Sequence, residues 1–313
     1  MSIEKPPFDC RHCQYTVWLT SDIDKQNAQD YNPSLFGHHR WNDQSLKGIA
    51  MPKATKPRVS AQLYTLRDYL KTPADIAATM KRLYEIGYRY VQISGLGPID
   101  PQELKRVMDA AGITPIGHHL LMKDLREDFA KTVANLHTWG VAYTAVACLM
   151  PEDCPTEAGY VASAKEMNAF GKRLLAEDIH LQYHNHHFEL LKFGGRTGLE
   201  IIYAESDPRY LQAEIDTAWI ARGAINPVDW IMRVKGRMDQ VHFKDTTIGS
   251  DRNPVFTEIG EGNLNWPAII KACIGTGVRD YHIEQDVCPA TNDPFKSLAI
   301  SLANLIKLGL IKA

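Results

Sequence analysis

From residue 57 to 313 the chain repeats one pattern eight times: a short apolar run, a turn marked by Gly, Pro, Asp or Asn, then a segment of helical periodicity. The strand-like runs are 58–64, 88–94, 113–119, 141–149, 179–186, 211–216, 238–245 and 280–286. Helical periodicity covers about 72–86, 101–111, 128–139, 156–177, 198–206, 226–235, 264–275 and 293–309. Thr72 before Pro73 reads as an N-cap and first helical residue, and Gly87, Gly112, Gly140 and Gly236 close helices. Repeated βα units impose parallel strands with right-handed crossovers. Eight of them in about 250 residues predict a closed (β/α)8 TIM barrel. An open doubly wound sheet is the alternative, but no G-x-G-x-x-G or G-x-x-x-x-G-K-[ST] follows a strand.

Residues 1–56 lack the repeat. They are rich in Asn, Asp, Gln and His, and KATKP at 53–57 reads as a linker, so an irregular N-terminal extension is expected outside a barrel of residues 57–313. Cys10 and Cys13 form a C-x2-C near His12, His38 and His39. No second C-x2-C accompanies them, so free thiols on an arm are expected rather than a zinc site. Six cysteines in 313 residues do not make a disulfide scaffold. With a formal net charge of −2, neither nucleic acid nor an anionic membrane is expected as a partner. No apolar run approaches the ~18 residues of a membrane span. The first residues lack the basic-then-apolar pattern of a signal peptide. A cytoplasmic protein is expected, and a homo-oligomer is compatible with this composition.

In a barrel, alternate residues of each strand face the lumen. Counting by twos puts Gln182, His184 and His186 on one face of the fifth run against Leu181 and Tyr183. The sixth run sets Glu214 and Asp216 against Ala213 and Ile215, and the seventh sets His242 and Lys244 against Val241 and Phe243. The eighth sets His282, Glu284 and Asp286 against Tyr281 and Ile283. Gln62, Gln92 and His118 are expected in the same polar phase. Barrel interiors are normally layers of Val, Ile and Leu, and burying this many polar groups without partners costs several kcal/mol each. The polar phase is concentrated at the C-terminal strand ends, where barrel enzymes keep their active sites. His184, Asp216, His242 and Glu284 would converge there as a mixed N/O set for one divalent metal ion. Manganese is the first expectation, with zinc, cobalt, magnesium or iron as alternatives. Trp219, three residues past Asp216, is expected to line a substrate pocket, whereas Trp230 and Trp266 fall in helices and read as core.

These residues carry a resemblance. AQLYTLRD at 61–68, YVQISG at 90–95, YHNH at 183–186, EIDTAW at 214–219, HFKD at 242–245 and IEQD at 283–286 are similar to motifs of the sugar phosphate isomerases/epimerases, a xylose-isomerase-like barrel family. The resemblance spans about residues 58–310. It implies a divalent-metal enzyme acting on sugars, polyols and related keto compounds, with ligand roles for Asp216, His242 and Glu284. On the fifth strand the epimerases place a glutamate where His184 stands. In that respect the series is closer to inosose dehydratase and to lyases of keto sugars.

The expected chemistry is proton abstraction next to a carbonyl. Glu284, His186 or His118 would act as the base, and Lys244 would stabilise developing negative charge or pair with a carboxylate. Gln62, Gln92, Trp219 and Asp286 would contact a small carbohydrate substrate. Return of the proton to a neighbouring carbon makes an isomerase or epimerase; loss of a β-hydroxyl makes a dehydratase. A phosphodiesterase resembling endonuclease IV would need more ligands and a basic groove, and a non-catalytic sugar-binding barrel would exchange no substrate proton.

Overall fold

The computed structural model describes residues 56–312. The expected extension, but for its last residue, and the Cys10–Cys13 pair lie outside the described residues. Eight strands form one parallel sheet: β1 (Arg58–Gln62), β2 (Tyr90–Ile93), β3 (Thr114–Leu120), β4 (Tyr143–Val146), β5 (His180–His184), β6 (Leu211–Glu214), β7 (Gln240–Phe243) and β8 (Asp280–Ile283). Their order is β6-β5-β4-β3-β2-β1-β8-β7. The two outer strands then meet through a parallel bridge between Asp216 and His242. Ala213 N donates to Arg237 O (2.7 Å) and His242 N to Ile215 O (2.9 Å), which closes the barrel. Below this join the buried Arg237 guanidinium donates to Leu211 O, Tyr203 O and Ser206 Oγ.

Helices follow the strands and begin where the side chains direct. Thr72 and Asp75 form a reciprocal capping box at Pro73–Ile86. Asp100, Asn226 and Asp293 cap helices that open with proline. The apolar phase of the strands, including Leu181, Tyr183, Ala213, Ile215, Val241, Phe243, Tyr281 and Ile283, packs outward under Leu83, Leu174, Ile231 and Leu298 of the helices. Hydrophobic burial therefore lies between strands and helices and leaves the lumen to polar groups.

Most expected strands end early. The ladder stops at Gln62, His184, Glu214, Phe243 and Ile283. Beyond these points side chains replace sheet partners: Asp216 N donates to Asn185 Oδ1 (3.1 Å), Lys244 N to Thr217 Oγ1 (3.1 Å) and Gln285 N to Thr65 Oγ1 (3.0 Å). A 3-10 turn at Leu63–Tyr69 follows β1, and short helices at Met122–Glu127 and Thr217–Arg222 were not expected. The stretch expected as a long loop after β7 holds an antiparallel ribbon, Asp245–Ile248 with Pro254–Thr257.

One irregularity changes the lumen. Between β2 and β3, Val91 pairs with Pro115 but Gln92 pairs with Gly117, so Ile116 is skipped. Gly117 faces the lumen, where a Cβ would lie 3.2 Å from Gln92 and from Gln240. His119 therefore points inward. His118 shares the outer face with Leu120, bonds Thr144 Oγ1 through Nδ1 (3.0 Å) and lies 5.4 Å from the Trp139 ring. This corrects the expected phase of β3.

Candidate metal centre

His184 ends β5, Asp216 lies two residues past β6, His242 is in β7 and Glu284 follows β8 directly. All four are buried, and one ligand atom from each lies within 4.8 Å of the others. Each has a neighbour that orients it. His184 Nδ1 sits 2.9 Å from Ala147 O and so carries the hydrogen, leaving Nε2 without a partner. Asp216 Oδ1 accepts from Trp219 N (2.8 Å), while Oδ2 is unpartnered and 3.5 Å from His184 Nε2. His242 Nε2 lies 2.6 Å from Gln92 Oε1, and on the other side of the ring Nδ1 lies 3.2 Å from Glu284 Oε2 and 4.0 Å from Asp216 Oδ2. Buried imidazole nitrogens held by backbone or amide oxygens on their far side are the usual preparation for metal binding. Two nitrogens and two carboxylates, with two buried atoms left orphaned between them, fit a divalent first-row ion.

The surrounding charges reinforce this geometry. Lys244 is buried, with Nζ 2.8 Å from Glu284 Oε2, 2.8 Å from Asp286 Oδ2 and 3.5 Å from Asp216 Oδ2. Burial opposes its charge, but Glu284, Asp216 and Asp286 hold it well above the usual lysine range. Burial likewise works to raise Glu284, and Lys244 with His242 outweighs it, so Glu284 stays ionised. Burial would lower His184; the carboxylate of Asp216, 3.5 Å from Nε2, then Glu284 and Glu214, reverse this and raise it to about 9. His186 is lowered to about 3 by burial, then by His184 and Lys244, and is neutral, with Nδ1 buried and unpartnered.

A second layer lies beneath. Glu214 Oε2 is 2.7 Å from His119 Nε2 and 3.4 Å from His242 Nε2, and Oε1 accepts from Gln92 Nε2 (2.7 Å). The His119 ring stacks on His242 at 4.8 Å, 5° from parallel.

No family model matches the chain, and no curated protein matches it. Solved structures do. A sugar phosphate isomerase/epimerase from Parabacteroides distasonis is similar with a TM-score of 0.70 at 23% identity, covering 84% of this chain and 98% of that one. The IOLI protein, solved with a bound zinc atom, has a TM-score of 0.63 at 11% identity, covering 82% and 100%. L-ribulose 3-epimerase has 0.61 at 18%, covering 81% and 94%. The fold these structures share with the chain is the TIM barrel. At these identities the likeness is one of fold.

On this barrel the expected residues fall into three groups. His184, Asp216, His242, Glu284, Lys244 and Asp286 come together at the C-terminal mouth. Trp219 joins them there, its ring 5.1 Å from His186, 5.0 Å from His187 and 5.1 Å from Phe256. Gln62 and Gln92, expected at the substrate, lie fully buried below. Gln62 Nε2 donates to Gln92 Oε1 (2.6 Å), and Gln92 in turn orients His242 and Glu214. His118 is outside the lumen altogether. Sequence reasoning missed His119, for which the apolar Leu120 next to it was the available signal. It also missed Glu189, buried against Tyr183 Oη (2.6 Å) and His186 N (2.9 Å), which no local pattern marks.

Proposed function

We propose that this chain is a divalent-metal-dependent sugar isomerase or epimerase that moves a proton next to the carbonyl of a sugar, keto sugar or polyol derivative. The observation that carries this reading is the pair of buried, unpartnered atoms, His184 Nε2 and Asp216 Oδ2, at the centre of the four-residue set. His184, Asp216, His242 and Glu284 would hold the ion, manganese first, with zinc, cobalt, magnesium or iron as alternatives. When bound, it would supply a Lewis acid for carbonyl and hydroxyl oxygens.

The chain's own residues do the rest. Glu284 meets Lys244 and His242 through Oε2, leaving Oε1 to take a proton from carbon. His186, neutral and with a free ring nitrogen, is placed to return or relay one. Lys244 keeps Glu284 ionised and offers positive charge to an oxygen gaining electrons. Asp286 and Trp219 stand at the mouth for substrate hydroxyls.

A dehydratase acting on a keto sugar or inosose is the second reading. β5 delivers two imidazoles, His184 and His186, where a symmetric epimerisation wants a second carboxylate, and Glu189 is turned away into its bond with Tyr183. NMR of candidate keto sugars in D2O with metal-loaded protein separates the readings. Deuterium uptake with a rearranged sugar supports isomerisation or epimerisation; loss of water supports the dehydratase. Glu284→Gln should lower turnover at least about a hundredfold. Near-normal turnover in that variant would refute the assigned role of Glu284.

A further inference from the structure

We propose that Arg222 forms an anion-recognition corner at the barrel mouth, and that the substrate is a keto polyol bearing a carboxylate or a phosphate. This rests on the reading of the metal centre above. Arg222 is the last residue of the helix Thr217–Arg222, which Asp216 caps. Its guanidinium lies 3.6 Å from the Phe256 ring centre and 5.0 Å from that of Trp219. Lys244 Nζ lies 5.0 Å and 5.2 Å from the same two rings. Two cations thus share one aromatic pair at the site.

Their partners differ. Lys244 is surrounded by Glu284, Asp286 and Asp216. Arg222 has no carboxylate within ion-pair distance among the described residues; its guanidinium donates to Pro254 O (3.3 Å), and Nε is buried without a partner. Trp219 Nε1 and His186 Nδ1 are also buried and unpartnered. His186 and Arg222 each lie against the Trp219 ring, so the mouth holds three buried nitrogens without hydrogen-bond partners, two of them, Arg222 Nε and Trp219 Nε1, being donors.

The pairing differs in charge as well. Lys244 is matched by carboxylates at the mouth, whereas the Arg222 guanidinium has none within ion-pair distance among the described residues. A carboxylate or phosphate on the substrate would take the guanidinium's paired donors. The competing role is packing alone, with Arg222 clamping Phe256 of the ribbon against the helix.

Calorimetric titration of the metal-loaded full chain with D-fructose, D-fructuronate and D-fructose 6-phosphate decides. One charge-assisted hydrogen bond is worth about tenfold or more in affinity. At least one charged ligand should therefore bind about tenfold more tightly than fructose, and which one does so identifies the anion. Arg222→Met should erase the preference while leaving fructose affinity unchanged, and Arg222→Lys should keep most of it. Arg222→Gln is the second charge-free variant, and thermal unfolding shows which of them fold. No preference in the wild type, including no binding of any of the three, overturns the proposal. So does a preference that survives in the folded charge-free variant. Elemental analysis of the same samples reads the metal separately, so failure of the metal centre is distinguishable from failure of the anion corner.

Discussion

Gly117 is the residue on which the lumen's arrangement turns. A Cβ there would press on Gln92 and Gln240 at 3.2 Å. Neither can yield: Gln92 is bonded to Gln62, Glu214 and His242, and Gln240 to Ile116 O and Asp280. Gly117→Ala is expected to cost about 1–3 kcal/mol by overpacking and to weaken metal uptake through the displaced His242. Urea unfolding and metal titration check the two effects. Glu189 carries a pH dependence. Burial raises its carboxyl to about 7 in the folded chain, so between pH 4.5 and 7 the unfolded chain loses a proton that the folded chain keeps. Stability therefore falls as pH rises through that window, by about 3 kcal/mol. Glu189→Gln should flatten that part of the profile, measured as unfolding free energy against pH. At this scale the sequence was informative wherever the count by twos held, which is why His184, Asp216, His242 and Glu284 could be grouped in advance. It failed at His118, because a skipped residue in the neighbouring strand's register is a property of two strands. It could not find Glu189 or Arg222, whose surroundings are set by contacts remote in the chain.

Among the elements, the ribbon after β7 depends on one carboxylate. Asp245 Oδ2 accepts from Trp266 Nε1 (2.5 Å), Gly260 N (2.9 Å) and Gly262 N (3.1 Å), and Oδ1 from Thr246 N (2.8 Å). Asp245→Ala would strand several donors at about 1–3 kcal/mol each. The expected result is a loss of at least about 2 kcal/mol in chemical denaturation, together with faster proteolysis within 246–253. Helices were legible because their ends are written locally, as Thr72-Pro73, Asp100-Pro101 and Asp293-Pro294 at the starts and Gly87, Gly112 and Gly140 at the stops. The ribbon was not, because its polar, Gly- and Asn-containing sequence reads as a loop until Asp245 anchors it to Trp266. The strand ends were overestimated for a related reason: side chains such as Asn185 and Thr217 take over backbone bonds that a ladder would otherwise make.

For the molecule as a whole, residues 56–312 complete the sheet and bury a continuous apolar layer between strands and helices. We expect a chain lacking residues 1–50 to unfold cooperatively, as followed by calorimetry; loss of the transition would place the deleted segment in the core. Among the described residues no helix is long and apolar enough to cross a membrane.

The hoop of strands has one thin join. β6 and β7 meet at a single bridge, and its two residues, Asp216 and His242, both belong to the candidate metal set. A cation gripped by both would act as a clasp on the circumference, so that the reactive centre also latches its own scaffold. Binding at a hundredfold excess over the dissociation constant is worth about 2.7 kcal/mol. Chelation should then quicken amide exchange at Ala213 and His242 by up to about a hundredfold, with β2 and β3 little changed. Breathing of the barrel at that join would report occupancy of the site without any substrate being present.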